Sequence, residues 1–232
     1  MGRNRQLKWA GCQNVRDLGG LRMISGRKTR WGAAVRSGDP SKLAAAGWAC
    51  LVAHGIRTIV SLQTAGIPEN DLAALPPPSG IAAVAVAIED INDAGFVQQW
   101  VDSDLWCTPL YYQDALRRWP QRHAAAVTAI ARAAPGGVLF HCSRGNDRTG
   151  IITMLLLALV GVEPELIAED YELSPDPDRD ELLKSRHTSS RAVILAALAG
   201  LDVESYLLAG GLARSDLEAL RQRLLEPLAA GR

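Results

Sequence analysis

Short apolar runs rich in β-branched residues alternate along the chain with longer stretches in which apolar residues recur every three or four positions. That alternation is the pattern of an α/β layer structure. Ile56 to Leu62 (IRTIVSL), Ile81 to Ile88 (IAAVAVAI) and Val138 to Cys142 (VLFHC) predict strands. The first follows a helix predicted from Ser41 to Ala53, with Ser41 as N-cap and Gly55 closing the other end. Pro109 to Ala134 predicts two helices meeting at Pro120, the second placing Ala124, Val127, Ile130, Ala131 and Ala134 on one face.

Asp147 to Val160 is apolar on nearly every side, which predicts a helix buried at the centre of the domain. Further helices are expected at about 164 to 173, 180 to 199 and 213 to 226. The last has Ser215 and Glu218 as a capping box and carries Leu217, Leu220, Leu224 and Leu228 on one stripe. The expected fold is therefore α/β, a central mostly parallel sheet flanked by helices, with a helical C-terminal third. No internal repeat is visible, and the proline-rich stretches at Pro76 to Pro78 and Pro175 to Pro177 read as turns rather than linkers. One domain over 1–232, with a flexible N-terminus at 1–11, is the simplest organisation.

Composition narrows the function classes. With 232 residues, 48% of them apolar and 22% charged, the chain has an ordinary globular balance. A domain of this size buries roughly three quarters of its unfolded surface, so its core requires neither metal nor disulfide. The formal net charge is zero and no run of Lys and Arg forms a basic tail, so no nucleic-acid partner is expected. Cys12, Cys50, Cys107 and Cys142 are widely separated, with no CxxC pair and no His placed to complete a metal site, so no metal or other cofactor is expected. The longest apolar run, Ile151 to Val162, is twelve residues, short of the roughly 20 that cross a bilayer, and no transmembrane segment is predicted. The basic start MGRNRQLKWA is followed by no hydrophobic signal core. A reducing cytoplasm is the expected location, with export by a route lacking a signal peptide left open.

The chemistry converges on VLFHCSRGNDRTG, residues 138–150, where a buried strand passes into a buried helix through about six residues. The first turn of a helix carries unpartnered N–H groups and about half a unit of positive charge, and a short loop entering it can turn more amides inward to cradle a phosphate. Gly145 permits the backbone angles of such a cradle. Five residues separate Cys142 from Arg148, so the loop can fold the sulfur beneath the space framed by the guanidinium. Cysteine attacks as thiolate, and a helix N-terminus with a nearby cation favours that form. Arg148 offers a planar fork matched to two phosphate oxygens. Thr149 can donate to the thiolate and His141 can orient the loop.

HCSRGNDRTG resembles the HCxxGxxR signature loop of the protein tyrosine phosphatase superfamily, and its DRTG ending is similar to the bacterial tyrosine and dual-specificity branch. NVRDLGG (Asn14 to Gly20), VRSGD (Val35 to Asp39), GIRTIVSL (Gly55 to Leu62), the Asp170-Tyr171 pair, VESYL and the final helix look like that branch in the same order, so the resemblance covers about residues 12–226. It implies a cysteine-dependent phosphatase fold that hydrolyses phosphotyrosine, with phosphoserine and phosphothreonine as further substrates, in phosphorylated proteins or peptides. By position it implies Cys142 as nucleophile forming a phosphocysteine, and Ser143, Arg144, Gly145, Asn146, Asp147 and Arg148 as the phosphate-binding loop. His141 and Thr149 support that loop. Asp147 is the candidate general acid, with Asp90, Asp93, Asp102 and Asp104 in reserve, because much of the superfamily carries its acid on a separate loop.

Two positions depart from the branch. Related loops commonly carry Lys where this chain has Asn146, which removes a charge suited to multiply phosphorylated headgroups, although Arg144 keeps a phosphoinositide or inositol polyphosphate alternative alive. Ser61-Leu62-Gln63 stands where relatives often show Asp-Leu-Arg. Both departures motivate a second alternative, a phosphate-binding module with weak turnover; sulfur transfer through a persulfide is a third. Asn14, Arg16 and Asp17 either shape an N-terminal turn or brace the loop, Arg36 reads as a structural ion-pair partner, and His54, His123 and His187 read as surface or capping residues.

Overall fold

The computed structural model describes residues 3–68 and 77–226. In chain order these form β1 (Arg16–Asp17), β2 (Ala34–Ser37), α1 (Ala45–Ala53), β3 (Ile56–Ala65), β4 (Ala82–Asp90), the short α2 (Ala94–Phe96), α3 (Tyr112–Arg118), α4 (Pro120–Ala131), β5 (Gly137–His141), α5 (Asp147–Leu159), α6 (Pro164–Glu172), α7 (Pro177–Ser185), α8 (Ser190–Ala199), α9 (Val203–Ala209) and α10 (Arg214–Leu224). The strands make one five-stranded sheet in the order β1-β2-β5-β3-β4, parallel throughout except for β1 against β2. The expected α/β architecture, a mostly parallel sheet flanked by helices with a helical C-terminal third, is therefore the one observed.

The period-two alternation of the strands sorts their side chains into two cores. Val35, Ile59 and Leu139 point to one face and pack with Leu51 of α1 and with Trp9. Ala34, Val60, Leu62, Val138 and Phe140 point to the other, where they meet the larger helical layer. β3 and β5, central in the sheet, are buried on both faces, as their continuous apolar runs require. β4 is an edge strand, and its first half is exposed. Helix α5 is buried along nearly its whole length, as its all-round apolar sequence predicts.

Several local expectations are corrected. Ser41 is not the cap of a long helix: the Asp39 carboxylate accepts from the Ser41 N–H at 2.9 Å and caps a single 3-10 turn, Pro40–Lys42, and α1 starts only at Ala45. The stretch 180–199 is two helices, because His187 takes a left-handed φ of 54° and Ser189 then caps α8 through the Ala192 N–H. α10 has no side-chain cap, since Ser215 lies inside its first turn rather than at its start; Asp216 instead binds Arg132 at 2.8 Å. Leu217, Leu220 and Leu224 form the buried stripe, but Ala134 lies past the end of α4 and is exposed. His123 is fully buried, its Nδ1 2.6 Å from the Tyr206 hydroxyl. In the N-terminal segment Arg5 bonds Asp170, the Leu7 N–H donates to Val15, and Trp9 is in the core. Residues 1–2, Pro76 and Leu228 lie outside the described residues. No single helix among the described residues is long and apolar enough to cross a membrane.

Candidate active site

Parallel strands all deliver their C-terminal ends to one rim of the sheet, and crevices form where the following loops part. At that rim β5 ends at His141, and the loop 142–146 carries the chain into α5. Gly145 has φ +75° and lies so close to the end of β2 that a Cβ there would stand 2.4 Å from the Ser37 carbonyl, so only glycine lets the loop seat against the neighbouring strand.

Four consecutive carbonyls of this loop are claimed from outside it. The Asp39 N–H donates to the Ser143 oxygen at 3.0 Å. Asn14 Nδ2 donates to Arg144 at 3.2 Å and to Gly145 at 3.0 Å. Arg36 donates to Gly145 at 2.6 Å and to Asn146 at 3.2 Å. In a trans peptide the N–H points opposite to the preceding C=O, and no peptide bond among the described residues is cis. The amides of Arg144, Gly145, Asn146 and Asp147 thus face away from these braces, and the first turn of α5 adds its own unpaired donors.

A cavity of about 290 Å³ opens at this loop. His141, Cys142, Ser143 and Arg148 line it from the loop and α5, and Asp39, Ser61, Ile67 and Pro68 from β3 and the segments after β2 and β3. Cys142 is only 5% exposed, so its sulfur sits at depth. Arg148 is half-buried and donates to the Leu62 carbonyl at 2.9 Å. His141 is buried with Nδ1 3.3 Å from the Cys142 carbonyl, and burial pushes its pKa down to about 4, so it is neutral at pH 7. The Thr149 hydroxyl is buried and makes no hydrogen bond, to Cys142 or to any other described atom.

Asp147 lies behind the cavity rather than in its lining. Its Oδ1 accepts from the Tyr171 hydroxyl at 2.5 Å, and Tyr112 donates to its backbone oxygen at 2.8 Å. Burial raises its carboxyl above the ordinary range, the Tyr171 bond opposing. The reserve acids are engaged elsewhere or exposed: Asp90 pairs with Arg122 at 2.5 Å, Asp93 caps α2 and binds Arg118, and Asp102 and Asp104 are exposed. Among the described residues no cluster of His, Cys, Asp or Glu gathers as metal ligands.

Behind the loop lies a buried ionic cluster that motif spacing alone does not indicate. Arg36 binds Asp170 at 2.7 Å, Arg16 binds the same carboxylate at 3.3 Å and the Ser174 hydroxyl at 2.9 Å, and Arg5 closes the group from the N-terminal segment. Burial alone would raise the Asp170 carboxyl, but Arg36, Arg16 and Arg5 together hold it well below the usual range. Asn14, with a left-handed φ of 59°, accepts from Arg16 and donates to the loop, and so joins cluster to cradle. Asp17 instead shapes the turn, accepting from Gly19, Gly32 and His54. A second buried carboxylate, Glu89, takes bonds from Tyr111 at 2.5 Å and Trp106 at 3.2 Å; burial raises its pKa and the nearby Arg148 charge lowers it.

The tyrosine phosphatase family profile matches residues 7–226. The chain belongs to the tyrosine phosphatase family. It is accordingly a phosphoric monoester hydrolase. It is 31% identical over 201 residues to a protein of Cupriavidus necator assigned by name to the tyrosine-protein phosphatases, covering 82% of this chain and 67% of that one. It is also 39% identical over 72 residues to the triple specificity protein phosphatase PtpB of Mycobacterium tuberculosis, a match over 28% of this chain and 25% of that protein. Among solved structures, P. aeruginosa TpbA in complex with phosphotyrosine aligns with a TM-score of 0.41 at 20% identity over 78% of this chain and 86% of that one. The Siw14 catalytic core aligns at 0.49 and 18% over 88% and 92%.

The signature loop of this phosphatase is visible in sequence. Its outer braces come from segments whose family resemblance is equally visible, NVRDLGG, VRSGD and the Asp170-Tyr171 pair, but whose mutual contact is not. Asp39, Ser61, Ile67 and Pro68 carry no spacing signal toward Cys142, because only the parallel register of β2, β3 and β5 sets them side by side.

Proposed function

We propose that this phosphatase hydrolyses phosphotyrosine in proteins or peptides through a phosphocysteine intermediate, without a metal ion. The support that carries most weight is the outward bracing of four successive carbonyls at 143–146, which leaves four amides for the equatorial oxygens of a phosphoryl group beside Cys142. The Cys142 thiolate attacks phosphorus, an S–P bond forms and the ester P–O bond breaks. The departing oxygen takes a proton from Asp147, whose burial favours its protonated form and whose carboxyl turns from Tyr171 into the cavity to deliver it. Water then attacks the phosphocysteine, giving its proton to the Asp147 carboxylate, and orthophosphate leaves with Cys142 again a thiolate. Arg148 holds two oxygens bidentately while the amides hold the charge that develops between them.

Ile67 and Pro68 give the cavity an apolar wall that suits an aryl ring, so phosphotyrosine is the preferred ester and phosphoserine and phosphothreonine are slower substrates. The family match over residues 7–226 supports a single phosphatase domain. The four free thiols fit the reducing cytoplasm we propose as its location, since a thiolate nucleophile is lost on oxidation. The test is hydrolysis of p-nitrophenyl phosphate in EDTA. Turnover should be blocked by vanadate and fall about 10⁴-fold or more in Cys142→Ser; undiminished turnover in that variant overturns the mechanism.

A further inference from the structure

Resting on that reading, we infer that Asp39 is a specificity residue that selects singly phosphorylated substrates with cationic surroundings and rejects polyanionic ones. Asp39 is the one carboxylate among the described residues that line the cavity with Cys142. Its Oδ1 accepts from the Ser41 N–H at 2.9 Å and its Oδ2 from the Ser41 hydroxyl at 2.7 Å, two donors that fix its place. It makes no ion pair among the described residues, and its near neighbour His141 is neutral at pH 7. Its own N–H holds the Ser143 carbonyl at 3.0 Å, so the carboxylate is tied to the cradle rather than carried on an independent loop. A negative charge is thus built into the wall of a cavity that receives a dianion.

The rest of the rim does not offset it. Arg144, the cation that would favour a second phosphate, is two-thirds exposed and pairs with Asp176 at 3.4 Å. Asn146 stands where a charged residue would add to the field, and its amide also turns to Asp176, at 3.5 Å. One phosphoryl group is held by the amides and Arg148, whereas further phosphates around it would meet Asp39 and Asp176 without a free cation from Arg144. A lysine or arginine side chain beside the phosphotyrosine would instead meet the Asp39 carboxylate, which has no ion-pair partner among the described residues.

The test compares kcat/KM for three substrates: a phosphotyrosine peptide flanked by Lys and Arg, the same peptide flanked by Asp and Glu, and an inositol polyphosphate. Exposed charge pairs of this kind change affinity about two- to fivefold each, so the basic peptide should lead the acidic one by at least that factor, mostly through KM, with the lead shrinking as salt rises. Asp39→Asn should bring the ratio toward one, and Asp39→Glu should restore it. Using ratios within each variant cancels any common loss of turnover. Equal rates on the two peptides in the unaltered protein, or an unchanged ratio in Asp39→Asn, overturn the inference. If no phosphotyrosine substrate turns over at all, the proposed function fails instead. The same peptides titrated against Cys142→Ser by fluorescence anisotropy then decide the role of Asp39 on its own, by whether the basic peptide binds more tightly.

Discussion

The two ends of the parallel sheet differ in what their cavities contain. At the N-terminal ends of β2, β3 and β5 lies the larger cavity, about 570 Å³, walled by the turns at Gly32, Gly55 and Gly136 and by Arg30, Trp31 and Arg223. The cavity at the C-terminal ends is half that size, yet it holds the cysteine, the guanidinium and the turned amides. Volume does not make the site. A parallel sheet sends every following helix N-terminus to one rim, so anion-binding donors accumulate there, while the other rim collects the carbonyls of helix C-termini. Arg223 illustrates the second case: its guanidinium donates to the Ala133, Ala134 and Gly136 oxygens and so serves the turn after α4.

The energetics of the two rims differ in the same way. The N-terminal rim closes with glycine turns and the Arg223 guanidinium at modest cost. The C-terminal rim is backed by Asp170, Arg36 and Arg16, all essentially removed from water. Buried ion clusters cost much desolvation and are weak sources of net stability. What this one secures is position: the Arg36 guanidinium that meets Asp170 also fixes the loop carbonyls, and so aims the amides.

The largest effect that sharpens this contrast concerns the proposed general acid. Asp147→Asn should lower turnover about 10² to 10⁴-fold for alkyl phosphates, whose leaving oxygen requires a proton, and far less for p-nitrophenyl phosphate. Equal losses on both, measured as a series of leaving groups, would assign proton donation to another group.

Next is the ionic cluster. Asp170→Asn leaves Arg16 and Arg36 buried without their carboxylate and should cost about 3–5 kcal/mol, or roughly 6–20 °C in Tm. The sign with pH follows from the depressed carboxyl: Asp170 adds stability at neutral pH that is lost as pH falls through and below the ordinary aspartate range. His141 and His123, with pKa values pushed by burial down to about 4 and about 3, act in the same direction, because the unfolded chain takes up their protons first. The histidine share should therefore decline from about pH 6.5 downward, opposed by Asp147 and Glu89, whose carboxyls burial raises, and the Asp170 share is read as the lesser acid sensitivity of Asp170→Asn relative to the parent. A variant as acid-sensitive as the parent would remove Asp170 from that account.

The smallest effect belongs to the opposite rim. Arg223→Met should cost about 1–2 kcal/mol, read by thermal unfolding, with kcat/KM on p-nitrophenyl phosphate changed less than twofold. A tenfold loss of activity there would mean that the two ends are mechanically joined.

The strand, loop and helix of residues 138–150 are legible because they are local: strand, glycine and helix start determine which way amides turn within a few residues. Helix caps are less legible. Ser41 and Ser215 had the right chemistry, but the helices began elsewhere, since Asp39 took the turn before α1 and α10 opened at Ala213 without a side-chain cap. The break at His187 falls in residues 184–191, KSRHTSSR, which hold no apolar position to mark a helix face on either side, and a single left-handed residue leaves no spacing signal.

The hydrophobic period and one ten-residue motif sufficed for the layer architecture, the central buried helix and the position of the cysteine and arginine, because each depends on neighbours in the chain. The tertiary structure alone decided that Asn14, Arg16, Arg36 and Asp170 stand behind the cradle and that Asp39 faces its interior. Asn14, Arg16, Arg36 and Asp39 are more than a hundred positions from the loop and Asp170 follows it by more than twenty, and only strand register and the closing of α6 over the sheet bring such distant charges within bonding distance.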